Sequence, residues 1–153
     1  MLQQTQTPAQ VRQAIYKELI PACANGNKDA ADYLRRICFI VRTVDDVYDG
    51  DKPVSRQDIV DSFFLFAGEI AGNKFFRQHI DQLTALHVVA FNAWQDANEW
   101  EQSDDSLKQM YAHVLRDYIC DVFAYTAYLT GGRHHMRGLS LRIRAVFLKE
   151  LGM

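Results

Sequence analysis

Only three prolines and eight glycines interrupt this chain, and they gather at the joints between periodic stretches. No stretch alternates apolar and polar residues for long, so an extensive β-sheet is excluded and the chain reads as helical throughout. No apolar run approaches the roughly 20 residues that span a bilayer, so no membrane span is expected. Neither sign of charge dominates: the net charge is −2, which gives no reason to expect nucleic acid or an acidic membrane surface as a partner. The three cysteines, Cys23, Cys38 and Cys120, are far apart and form no CxxC pair. Each lies among apolar neighbours, which predicts small buried hydrophobes in a reducing compartment. The start, MLQQTQTPAQ, has no basic region followed by an apolar one, so it does not read as a secretory signal, and a cytoplasmic location is expected. No GxSxG elbow, Walker loop, Rossmann fingerprint or convincing zinc spacing is found.

What the chain does contain is a series of apolar stripes at helical spacing. With 153 residues, 48% hydrophobic and 24% charged, it reads as one domain, residues 1–153, able to bury an ordinary core. Thr7 followed by Pro8 predicts a helix start, because proline at the first helical position loses no needed N–H. That helix is expected to reach about Ala24. A second is predicted from about Asn27 to Tyr48, stopped by DGDKP. Ser55 with Asp58 three residues on resembles a capping box and opens a third, to about Ala71. A fourth runs from Lys74 to Glu101 on the seam Phe76, Ile80, Leu83, Leu86, Ala90, Trp94 and Ala97. Ser103 is expected to cap a fifth, with Tyr111, Val114, Leu115, Tyr118, Val122, Tyr125 and Leu129 on its core stripe and its end at the glycine pair 131–132. RHHMRGL then reads as a loop, and Ser140 as the start of a last short helix. The expected fold is a single all-α bundle of five or six helices, centred on the second, fourth and fifth.

The segment FIVRTVDDVYDGDKP places Asp45, Asp46 and Asp49 directly after the apolar run ICFIV. On a helical wheel, Tyr33, Ile37, Ile40, Val44, Val47 and Tyr48 form a core stripe, and the aspartates fall on the other side with Arg42. They read as a solvated face, with Arg42 and Asp46 an i, i+4 pair, or as a metal site. ICFIV is apolar nearly all round, which predicts cover on both faces, and carboxylates crowded there need a cation, an arginine or protonation. Mg²⁺ suits, since it takes one or two carboxylates and leaves room for water and phosphate oxygens. His113, Asp117 and Asp121 form a second ridge at i, i+4, i+8 on the fifth helix.

RTVDDVYDGD resembles the first aspartate-rich motif, DDxxD, of class I isoprenoid synthases, and the preceding CFIVR looks like their squalene and phytoene synthase branch. LRDYICD, residues 115–121, is similar to the second motif of that branch. The resemblance implies an isoprenoid-synthase-like helical fold in which Asp45, Asp46, Asp49, Asp117 and Asp121 bind Mg²⁺ and, through it, a prenyl diphosphate. Arg42 is a candidate phosphate contact, as are Arg116 and Arg133. The whole chain also resembles small uncharacterised proteins encoded by tailed bacteriophages, which identifies no chemistry.

A MazG-like nucleotide pyrophosphatase is a further reading, in which Asp46 and Asp49 imitate an ExxE pair and Glu69 begins a second, though residue 72 is glycine where the last ligand belongs. RHHMR could receive phosphate or be a solvated connection. Trp94 and Trp100 read as core or interface. The competing class is a non-enzymatic protein-interaction module. The aromatic stretches SFFLF and NKFF offer more apolar surface than one small bundle hides, which predicts a homo-oligomer. Charge is also uneven. Seven acidic residues from Asp96 to Asp121 face two basic ones, while Arg133 to the end carries five basic residues against Glu150. A basic tail can therefore meet an acidic face, in the same chain or another copy.

Overall fold

The computed structural model describes residues 6–150, without the side chain of Glu150; the reading of the first residues, MLQQT, lies outside them. Among the described residues every regular element is a helix, as expected, and no helix is long and apolar enough to cross a membrane. The chain divides into two compact units. One runs through Asn27–Ile80; the other joins the segment ending at Gly26 to the segment beginning at Asp81.

The second of these begins with α1 (Pro8–Ala14), continues through a π-helical segment (Ile15–Leu19) and ends in α2 (Ile20–Ala24). Thr7 and Gln10 form a reciprocal capping box that satisfies two of the otherwise orphaned N–H groups. The π segment precedes Pro21, a proline inside the rod rather than at a joint. Proline has no N–H to donate to the α ladder, and the rod takes up a wider turn just before it, in which the Ile20 N–H reaches back to the Ile15 carbonyl. The rod buries Val11, Ile15, Leu19, Ile20 and Cys23 almost completely, each large aliphatic side chain contributing about 1.5–3 kcal/mol of transfer free energy. It ends on Asn25 and Gly26, both with positive φ.

The same unit holds α6 (Ile80–Glu101) beyond its first residue, α7 (Ser106–Arg116) and α8 (Ile119–Glu150). Three polar contacts tie α8 to α2. Thr130 donates its hydroxyl to the Cys23 carbonyl at 2.7 Å, Asn25 donates to the Thr130 carbonyl at 3.2 Å, and a His135 ring nitrogen lies 2.9 Å from the Ala22 carbonyl.

Here the expected boundaries change. The cap of α7 is Asp105, whose carboxylate accepts the Leu107 N–H; Ser103 instead accepts from the Asp105 N–H. The expected fifth helix is broken at Asp117 and Tyr118, and helix resumes at Ile119. Gly132 does mark a joint, with φ 81 and ψ −174, but the residues after it are helical and no RHHMRGL loop forms. His135 accounts for Gly131: a Cβ there would lie 2.5 Å from the His135 ring, so only glycine lets that ring dock on α2.

In the other unit, α3 (Lys28–Asp49) packs with α4 (Arg56–Phe64), a π segment (Leu65–Ile70) and α5 (Lys74–Gln78). Tyr33 is its centre, fully buried with the Phe75 and Phe76 rings at 5.8 and 5.9 Å. Asn73 fixes this arrangement twice over: its side chain caps α5 by accepting the Phe76 N–H at 2.8 Å and donates to the Asp29 carbonyl at 2.9 Å. Ser55 and Asp58 form the expected capping box. The π segment has a physical consequence. Phe63 and Ile70, seven residues apart, would share one face of an α-helix; the wider i→i+5 turn shifts their phase by about a quarter turn, and Ile70 is buried while Phe63 is not.

Candidate functional site

The first acidic set sits at the end of α3. Asn27 caps the start, its side chain accepting the Ala30 N–H, and Gly50 closes the end in the left-handed region with φ 66, a conformation glycine adopts without strain. Ala30, Tyr33, Leu34, Ile37 and Cys38 are buried. Beyond them the expected core stripe does not hold. Val44, Val47 and Tyr48 are exposed, as is Val41, and Ile40 is half-buried. Helical spacing places residues on one face but does not say how far along the helix that face is covered. The cover expected around ICFIV holds for Ile37 and Cys38, which are buried, and in part for Phe39 and Ile40, but it ends at Val41, short of the aspartates. Asp45 and Asp46 are half-buried and Asp49 is exposed. Asp46 has Lys52 Nζ at 3.6 Å, a loose pair with a largely exposed lysine, worth little in water. Arg42, Asp45 and Asp49 are each engaged in contacts as well.

The second acidic set belongs to the other unit and is organised by an arginine. Asp117 is the C-cap residue of α7 and Asp121 lies in the first turn of α8, so the continuous i, i+4, i+8 ridge with His113 does not exist. The break nevertheless keeps the two carboxylates together. Arg144 spans them, with Nη1 2.9 Å from Asp117 and Nη2 2.9 Å from Asp121. Partial burial would lower the basicity of this guanidinium, but the hydrogen bonds and charges of the two aspartates outweigh that and raise it. Cys120 donates its thiol to the other oxygen of Asp117 at 2.8 Å; burial first, and that hydrogen bond second, hold the thiol far above its ordinary range. The basic tail thus meets the acidic region within one chain through Arg144, while Arg142 pairs instead with Glu18 near the start of the chain.

The candidate phosphate contacts are placed apart. Arg116 is nearly buried, bonded to Asn98 Oδ1 at 2.7 Å and to Glu101. Arg133 and His134 are exposed on α8, while His135 is turned to α2. Glu69 is paired with Arg36 at 2.9 Å. A recess of about 520 Å³, lined by Gly72, Lys74, Arg77 and Gln78, contains cations but none of the aspartates. Among the described residues no group of three or more His, Cys, Asp or Glu side chains could hold a metal ion.

The feature that sequence reading missed is a pair of helices turned inside out. On α4 and its π segment, Ile59, Val60, Phe63, Phe64 and Phe66 are 49–72% exposed, while Asp58 and Asp61 are half-buried and Ser62 is buried with its hydroxyl unpartnered. On α7 the exposed residues are Leu107, Met110, Tyr111 and Val114, at 55–65%, an i, i+3, i+4, i+7 seam, and Ala112 is the buried one. Tyr111 and Val114 had been expected in the core. The signal was in the sequence as one-sided apolarity; which side the rest of the fold covers was not.

The described residues form an all-α helical protein in which α4 and α7 each carry an uncovered apolar seam. No protein-family model, curated protein or solved structure matches the chain.

Proposed function

We propose that the chain is a non-enzymatic helical interaction module whose working surfaces are the apolar faces of α4 and α7. The observation that carries this reading is α4: five large apolar side chains stand in water while Ser62 is buried with its hydroxyl unpartnered. Apolar surface costs about 25 cal/mol per Å² when left in water, and contiguous patches of several hundred Å² mark interaction sites. The partner is a protein, either another chain or further copies of this one. The test is binding of an apolar fluorescent dye to the wild type and to Ile59→Ser/Phe64→Ser. Lower dye fluorescence at unchanged helical ellipticity supports the reading; loss of helicity would mean that these residues are core and would end it.

A second reading is Mg²⁺-dependent binding or turnover of a diphosphate-bearing, prenyl diphosphate-like ligand in an isoprenoid-synthase-like fold. One observation favours it: the last five residues of α3 include three aspartates and its last turn has no basic residue, at the end where the helix dipole is negative and carboxylates are disfavoured. A divalent cation would relieve that repulsion. Asp117 and Asp121 are held by Arg144 and would have to leave it to bind a cation. Thermal stabilisation by millimolar Mg²⁺ or Mn²⁺ with pyrophosphate, abolished in Asp45→Asn/Asp49→Asn, supports this reading; a wild type that shows no shift removes it.

A further inference from the structure

Asn25 and Gly26 form the turn that closes α2, and they are the chain's one Asn-Gly pair. Such a pair can react with itself. The backbone nitrogen that follows an asparagine is a nucleophile once it loses its proton, and the side-chain amide carbon lies at the distance that closes a five-membered ring. Glycine leaves that nitrogen unhindered and the backbone free to turn. Both residues are exposed, a Cβ on Gly26 would meet nothing within 4 Å, and the Gly26 N–H donates no hydrogen bond among the described residues.

Other positions lack one of these properties. Asp49 and Gly50 could close the same ring, but the Gly50 N–H is held by the Asp46 carbonyl at 3.1 Å. Asn92 and Asn98 precede Ala93 and Glu99 inside the hydrogen-bonded ladder of α6. Asn27 and Asn73 precede lysines, and each engages its side-chain oxygen in a helix cap. Asn25 also has a structural duty: its amide donates to the Thr130 carbonyl at 3.2 Å, beside the bond from the Thr130 hydroxyl to the Cys23 carbonyl. A carboxylate in its place has no proton to donate and sets negative charge against the Thr130 carbonyl oxygen. One of the three polar ties between α2 and α8 is then replaced by repulsion.

We propose that Asn25 is a self-modification site whose deamidation loosens α8 from α2. The Gly26 nitrogen loses its proton to solvent base and bonds to Asn25 Cγ; the Cγ–Nδ2 bond breaks, and the amide nitrogen leaves as ammonia. Water then opens the succinimide at either carbonyl, giving aspartate or, with one more methylene in the main chain, isoaspartate. Water is the only co-reactant. The full chain, aged at mildly alkaline pH where backbone amides ionise more readily, is sampled by peptide mass spectrometry and by hydrogen exchange. The Asn25 peptide should show the mass of deamidation and split into aspartyl and isoaspartyl forms before the other asparagines, Asn27, Asn73, Asn92 and Asn98, react. Asn25→Gln, whose longer side chain would need a six-membered ring, should stay unmodified over the same period. Amides around Thr130 should exchange about tenfold faster in the aged chain, the change expected when a hydrogen bond gives way to repulsion. Freshly prepared Asn25→Asp should show that acceleration without ageing, while the amides of Phe75 and Phe76 keep their protection. Asn25 remaining intact, whether or not another asparagine reacts, overturns the proposal, and so does a converted chain whose exchange near Thr130 is unchanged.

Discussion

Two Phe-Phe pairs lie twelve residues apart in one unit and meet opposite fates. Phe75 and Phe76 are 2% and 9% exposed, stacked about Tyr33, whereas Phe63 and Phe64 are 72% and 65% exposed. Hydrophobicity cannot separate them, since the side chains are identical. What separates them is the start of each helix. α5 is pinned by Asn73, whose amide caps the helix and grips the Asp29 carbonyl, so the rings that follow are aimed at α3. α4 starts from a Ser55–Asp58 box that closes on itself and makes no link to α3.

The largest effect should come from truncating one ring of each pair. Phe75→Ala should cost about 3–5 kcal/mol, the range for a large core aromatic, in urea unfolding at low protein concentration. Phe63→Ala should change the stability of the monomer by less than about 0.5 kcal/mol, as expected for an exposed position. Equal losses would erase the contrast. Next comes its cause: Asn73→Ala removes a cap and a link to α3 and should cost about 1–2 kcal/mol, whereas Ser55→Ala should cost about 1 kcal/mol or less.

Outside that unit, covered and uncovered groups can be compared in the same way. Arg144→Ala loses a fork on two aspartates, but with its side chain 46% exposed solvent screening limits the loss to about 1 kcal/mol, declining further in high salt. His87 on α6 has its basicity lowered from the ordinary 6.5 by burial. The unfolded chain therefore binds the proton more readily than the folded one, so this contribution to stability is constant above about pH 6.5 and decreases as pH falls below it. His87→Gln should flatten that part of the pH profile.

Much of the helical order was legible because it is encoded locally. Thr7, Asn27 and Ser55 carry capping chemistry in their own side chains, and Gly50 supplies a left-handed end. The joint at Asp117 was not legible, because no glycine or proline marks it; it is fastened from 23 to 27 residues away by Arg144. The run of helix past Gly132 was hidden for a similar reason, since His135 is ordered by its contact with the Ala22 carbonyl. Of the candidate site, the nearness of Asp117 and Asp121 was correctly read, though their partner is an arginine. The burial around Asp45 was not, because periodicity at Val44, Val47 and Tyr48 fixes a face and says nothing about its cover.

Hydroxyl-radical footprinting of the five phenylalanines at 63, 64, 66, 75 and 76, read by mass spectrometry at low protein concentration, addresses the central claim most directly. Phe63, Phe64 and Phe66 should oxidise rapidly in the dilute protein while Phe75 and Phe76 are protected. Protection of Phe63 and Phe64 equal to that of Phe75 and Phe76 in the dilute monomer would contradict the account.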